Sequence, residues 1–182
     1  LEHIAGRTTY LALLQENPQA LSQLVKLCAA SPWIVEQIAR FPMLLDQLLD
    51  PRTLYAPLQR EVLETELQER LDTVAGDLEA QMDGLRQFKH ARVLRVAAAD
   101  IAGAVDVTQV SDELSDIAEV ILQKVFVIAW EHMLGRYGEP RCTVRGKRRP
   151  VAFSIIGYGK LGGRELGYGS DLDLVFLHDS EG

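Results

Sequence analysis

The chain has 182 residues, 47% of them apolar and 25% charged, which supports one or two folded domains with a sizeable core. A formal net charge of -7 sets overall repulsion against any long polyanion and argues against nucleic acid as a partner. The two cysteines, Cys28 and Cys142, stand far apart, as expected of a reduced, cytoplasmic setting and not of a disulfide framework.

No apolar run approaches the roughly 20 residues of a membrane span, so no membrane association is expected. The first residues lack a basic stretch followed by an apolar block, so the chain reads as untargeted, or as a piece cut from something longer. His3, His90, His132 and His178 show no ligand spacing and read as structural.

From Arg7 to Ala30 the apolar residues Tyr10, Leu11, Leu13, Leu14, Leu21, Leu24, Val25 and Leu27 recur at helical spacing. Asn17-Pro18 predicts a fresh helix start within that run, and Ser31-Pro32 another, for a helix from Trp33 to Arg40. Pro42 and Pro51 bracket a further helix with Met43, Leu44, Leu45, Leu48 and Leu49 on its apolar side. Helices this short are marginal alone, so tertiary packing must hold them in a compact array. Trp33 sits among apolar neighbours and reads as core.

Longer helices follow. Pro57 to Leu71 places Leu58, Val62, Leu63, Leu67 and Leu71 among acids and glutamines, and Asp77 to Val105 continues the pattern with Leu78, Met82, Leu85, Phe88, Leu94, Val96 and Ile101. On that second helix Arg86, Lys89, Arg92 and Arg95 form a ridge at intervals of three, read as a solvated face balanced by Asp77, Glu79 and Asp83. Ser111-Asp112-Glu113 reads as the start of the next helix, running to about Gly135. Its wide apolar stripe predicts the most buried helix, with Trp130 packing near its end.

Gly138, Pro140, Gly146 and Pro150 break the pattern over Tyr137 to Pro150. That stretch reads as a linker with a small hairpin, its cluster Arg145, Lys147, Arg148 and Arg149 solvated. Val151 to Ile156 predicts a buried strand, Lys160 to Leu166 one or two helical turns, and Asp171 to Leu177 a second strand. On a strand, side chains two apart share a face, so Asp171 and Asp173 are expected together, with Leu172, Leu174 and Phe176 buried behind them.

The order Gly-Ser-Asp-x-Asp followed by an apolar run suits a metal-nucleotide site. Nucleotidyl transfer needs positioning and neutralisation of charge developing on the attacking and leaving oxygens. Two divalent ions about 3.5–4 Å apart can supply that, and magnesium takes one or two carboxylates plus substrate phosphates. Gly167 and Gly169 let backbone approach phosphate, and Ser170 offers a hydroxyl and an amide. Gly159-Lys160-Leu161-Gly162-Gly163 lacks the ending of a P-loop.

At these residues the chain resembles a known family. Gly-Ser-Asp-Leu-Asp-Leu (169–174) is similar to the motif of the DNA polymerase beta type of nucleotidyltransferase. The longer string from Gly157 to Leu174 resembles the glutamine synthetase adenylyltransferase family, as do Arg7-Thr-Thr-Tyr-Leu, Ser31-Pro-Trp, Leu85-Arg-Gln-Phe-Lys and Ala97-Ala-Ala-Asp-Ile. That family has two related halves, one attaching AMP from ATP to a tyrosine of glutamine synthetase and one removing it by phosphorolysis. Glu165-Leu-Gly-Tyr-Gly-Ser-Asp-Leu-Asp, then His178-Asp179, resembles the C-terminal, adenylylating half.

The resemblance implies Asp171 and Asp173 as catalytic magnesium ligands, Gly169 and Ser170 as phosphate contacts, and Lys160 and Arg164 as further cations near the triphosphate. It implies ATP, glutamine synthetase and a PII-type signal protein as partners. Family members continue with more sheet and a third carboxylate. The expected architecture is therefore mainly α: a helical domain over 1–136, a linker over 137–150, and over 151–182 the first strands of an α+β nucleotidyltransferase domain, incomplete and inactive alone. Alternatives are the adenylyl-removing half, an enzyme of the superfamily acting on RNA ends, and a non-catalytic helical interaction module.

Overall fold

The computed structural model describes residues 10, 12–49, 51–144 and 146–180. The expected helix start at Arg7, together with His3, Leu11 and Arg145, lies outside them. Residues 12–16 are helical, and proline then opens each of the next elements: α1 (Pro18–Ala30), α2 (Pro32–Arg40), a 3-10 helix (Pro42–Leu48) and α3 (Pro51–Leu54). Proline suits a first helical position because its φ is preset and its missing N–H would go unpaired there. The segment after Pro42 is not the α-helix expected. Its boundary bonds close over three residues, from the Leu44 amide to the Phe41 carbonyl (3.0 Å) and from the Leu49 amide to the Asp46 carbonyl (3.3 Å). This tighter winding buries Leu44, Leu45 and Leu48.

Three longer helices complete the array: α4 (Arg60–Asp72), α5 (Leu78–Ile101) and α6 (Val107–Tyr137). Asp77 caps α5 by accepting from the Ala80 amide at 3.0 Å. Asp106, not Ser111, caps α6, accepting from the Gln109 amide at 2.9 Å. The helix therefore starts a full turn before the expected point, and the Ser111 carbonyl accepts from the Ser115 hydroxyl inside it (2.8 Å). Gly138, at φ 77, ends α6 in a conformation that favours glycine.

Two hydrophobic clusters form the core, and α5 belongs to both. Leu94, Ala97 and Ala98 join Leu27, Ile34, Leu44, Leu48 and Leu54 of the short helices. Phe88, Val93 and Val96 join Leu63, Leu67, Leu114, Ile117 and Val120 of α4 and α6. The expectation that α6 is the most buried helix is overturned: its buried residues run only from Val110 to Val120, whereas those of α5 run from Gly84 to Ala99. The later half of α6 carries exposed Val127 and Met133. Trp130 there is half-buried, tilted against Phe126 and Phe153.

The basic ridge of α5 divides. Arg86 and Lys89 are exposed, Arg86 paired with Asp83 at 2.6 Å. Arg92 turns inward instead, its side chain 14% exposed, paired with Glu66 of α4 at 2.7 Å and lying over the Phe88 ring. Burial lowers the guanidinium pKa of both Arg92 and Arg95. A spacing of three spreads residues around a helix, and the packing of α4 decides which of them leave water.

Beyond α6 come two antiparallel hairpins. The first pairs β1 (Arg141–Val144) with β2 (Lys147–Pro150), turning at Gly146 with φ 75. The second pairs β3 (Phe153–Tyr158) with β4 (Asp173–His178), with α7 (Gly159–Gly162) between them. Asp179 joins the hairpins: its carboxylate accepts from the Ala152 amide (2.8 Å) and pairs with Arg149 (2.5 Å), and both partners lower its pKa, the amide most. The architecture is thus mainly α, followed by the opening antiparallel strands. No described helix is long and apolar enough to cross a membrane.

Candidate functional site

Both strands of the second hairpin begin two residues later than expected. Tyr158 pairs with Asp173, Ile156 with Val175 and Ser154 with Leu177. Residues directly opposite in an antiparallel ladder share a face, so these six lie on the outer side of the hairpin. Phe153, Ile155 and Gly157, with Leu174 and Phe176 opposite, face α6. The pleat therefore fixes the side taken by Asp173, while Asp171 lies before the first strand residue. Leu174 packs on the core as expected, but Leu172 and Phe176 remain 40% and 56% exposed.

The turn between the strands is shaped by close backbone approach. Gly159 has φ 54, and a Cβ there would overlap Asp173 Oδ2. A Cβ at Gly162 would stand 2.6 Å from the Gly157 carbonyl oxygen. Only glycine leaves room at these two points. The first places an exposed carboxylate directly over the N-terminal residue of α7.

Two leucines then fasten the turn to the helical array. Leu161 and Leu166 are buried in the same cluster as Leu67, Phe88 and Ile117. Tyr168 packs against both clusters, its ring 5.7 Å from that of Trp33 and its hydroxyl donating to Asp100 Oδ2 at 2.8 Å. Burial, with the Asp100 carboxylate added, pushes the Tyr168 phenol well above the ordinary tyrosine value. Trp33 is thus partly buried and helps seat the turn, in addition to the core role expected of it.

Gly169 and Ser170 sit at the end of this turn. The Ser170 amide donates to the Gly167 carbonyl (3.1 Å), and the Gly167 amide donates to the Ser170 hydroxyl (2.9 Å). The two groups that the sequence offers to phosphate are therefore engaged within the turn. Lys160 is exposed on α7, one residue from Gly159.

Arg164 is placed differently. It is the one non-glycine residue with positive φ (55) among those described, a conformation costing an L-residue about 1–2 kcal/mol. Its Nε donates to Asp112 Oδ1 at 2.8 Å and its Nη2 to Asp116 Oδ1 at 3.0 Å and to the Asp112 carbonyl at 3.2 Å, with Glu119 3.6 Å from Nη1. From α4, Arg60 reaches Asp116 (3.5 Å) and Glu119, and also Glu64 (3.1 Å). The Asp112 and Asp116 carboxylates raise the Arg164 pKa. Their spacing of four residues on α6 was visible in the sequence, whereas their partner was not.

Beside this network a cleft of about 520 Å³ opens between α6 and the inner face of the hairpin, lined by Glu119, Gln123, Phe126, Phe153, Gly162 and Arg164. It lies on the opposite side of the hairpin from Asp173. Among the described residues no group of three His, Cys, Asp or Glu side chains is arranged to hold a metal ion. Asp171 and Asp173 are both exposed carboxylates, the ligand type that magnesium accepts one or two at a time beside water and phosphate oxygens.

A helical array whose glycine-walled turn leads into a carboxylate-bearing strand defines the class: a mainly α scaffold joined to the opening of an α+β unit. The sequence matches the glutamate-ammonia ligase adenylyltransferase family over residues 21–182, and the chain belongs to that family. It is 58% identical over 180 residues to the bifunctional glutamine synthetase adenylyltransferase/adenylyl-removing enzyme of Thioalkalivibrio sulfidiphilus, covering 98% of this chain and 19% of that protein. The enzymes of the same name from Nitrosococcus oceani and Methylococcus capsulatus are 53% and 56% identical over 100% and 98% of the chain, again 19% of each protein. The chain thus spans about a fifth of the length of these curated relatives.

Proposed function

We propose that this segment is the helical support and the metal-nucleotide corner of an adenylyltransferase centre. The complete enzyme transfers AMP from magnesium-ATP to a tyrosine of glutamine synthetase under the control of a PII-type signal protein. The observation that carries this reading is the register of Tyr158 with Asp173 and the glycine at 159, which together leave an exposed carboxylate against bare backbone. Charged oxygens of a nucleotide can approach such a corner closely.

In this reading Asp171 and Asp173 hold magnesium, which when bound neutralises charge on the phosphates. Lys160 stands on the same turn as the glycine under Asp173 and offers a cation to the triphosphate. Ser170, bonded to Gly167, holds the turn that delivers the acids, and Gly169 gives phosphate a close backbone approach. The domain layout that follows is a helical unit over 1–136, a linker over 137–150 and the start of the catalytic unit from 151. The adenylylating half is favoured over the adenylyl-removing half by the string Glu165-Leu-Gly-Tyr-Gly-Ser-Asp-Leu-Asp.

Titrating ATP into the complete polypeptide with and without magnesium tests the corner. Magnesium-dependent binding that disappears in Asp173→Asn is expected. Unchanged binding in that variant rejects the corner and returns the segment to a helical interaction module.

A further inference from the structure

We infer that Arg164 is a positioning residue: its guanidinium clamps the glycine-rich turn to α6 through Asp112 and Asp116, and it does not contact the nucleotide. The inference rests on the proposed site but concerns how that site is held. A phosphate-binding arginine must present free N–H donors to solvent or ligand. Here two of the three guanidinium nitrogens already donate to α6 carboxylates, and the third lies 3.6 Å from Glu119. The side chain is also turned toward the helix, with a fork that spans two successive turns of one helix face.

The backbone points the same way. Residue 164 has φ 55, which glycine would adopt without strain, and it follows two glycines in sequence. An arginine at such a point is explained by what its side chain holds. The segment on either side is fixed by buried Leu161 and Leu166, so the clamp sets the rotation of the stretch lying between the glycine under Asp173 and the turn at Gly167–Ser170. Arg60 shares Asp116 and Glu119, which ties α4 into the same network.

The test uses the complete polypeptide with Arg164→Gly, Arg164→Lys, the pair Asp112→Asn with Asp116→Asn, and the triple combination with Arg164→Gly. Arg164→Gly is expected to lower kcat by about tenfold or more while KM for ATP moves less than about threefold, and Arg164→Lys to recover part of the loss. The paired Asn variant, which leaves Arg164 itself in place, should reproduce the loss. The triple variant should add little to it, because the three groups act as one unit.

A rise in KM for ATP of about tenfold or more, with the Asn pair unaffected, makes the guanidinium a phosphate contact and overturns the inference. So does wild-type behaviour of Arg164→Gly. A readout independent of chemistry separates this from failure of the proposed function: amide exchange over residues 159–170 should accelerate in Arg164→Gly and in the Asn pair alike, whichever reaction the enzyme performs. Unaltered exchange in both also overturns the clamp.

Discussion

The carboxylate of Asp173 occupies the space that a side chain at Gly159 would fill. Gly159→Ala must therefore hold an L-residue near φ 54 and displace the acid. The expected outcome is a stability loss of about 1–2 kcal/mol by denaturant unfolding. AMP incorporation by the complete enzyme should fall at least about tenfold, since a misplaced ligand costs rate as well as binding. Full activity in this variant would mean that Asp173 can move without consequence.

Leu161 links the turn to the core, and its side chain is 5% exposed. Leu161→Ala should cost about 2–4 kcal/mol, combining lost transfer energy with an incompletely filled cavity. Leu172→Ala, at a residue 40% exposed, should change stability by less than about 0.5 kcal/mol. Equal losses at the two positions would contradict the seating described for the turn.

Tyr168 supplies a pH signature. Its phenol is held protonated in the fold by burial and by Asp100, so its folded pKa lies above its unfolded value. The corresponding stability is fully present below the unfolded pKa, near 10, and is lost as pH rises from there through the folded value. Comparing wild type with Tyr168→Phe by urea unfolding from about pH 9 to pH 11 should show a steeper alkaline loss in the wild type. Below that range Tyr168→Phe should be less stable by about 1 kcal/mol for the missing hydrogen bond. Parallel profiles would assign the alkaline sensitivity to Tyr10 and Tyr55, whose phenols burial also raises.

Much of the fold was legible because local chemistry agrees with tertiary structure. Pro18, Pro32 and Pro42 each mark a helix start, and Asp77 and Gly138 mark a start and a stop, whereas Pro51, expected to close a helix, opens α3. Where two capping residues compete, sequence alone is less decisive. Asp106 and Ser111 both suit a cap, and the added turn from Val107 is stabilised by the Gln109 amide, which Asp106 accepts. The order Asp106-x-x-Gln109 was the available signal.

The contacts that seat the site were less readable. Asp112 and Asp116 look like ordinary helix acids until a chain segment 48 residues away places Arg164 between them. Arg92 and Arg86 occupy the same ridge, yet the packing of α4 buries one and leaves the other in water. Periodicity identifies a helix, whereas burial of a particular polar side chain depends on which neighbour arrives. The composition of the glycine-rich turn points to phosphate. Gly159, whose role depends on the register of β3 with β4, emerged only when the strands were paired.

The central claim is that Asp171 and Asp173 carry nucleotidyl transfer, and its most direct test is transfer of label from α-labelled ATP to glutamine synthetase. In the complete polypeptide, Asp171→Asn and Asp173→Asn should each reduce incorporation by about a hundredfold or more with the fold intact by circular dichroism. Near-normal incorporation in either folded variant would contradict the claim.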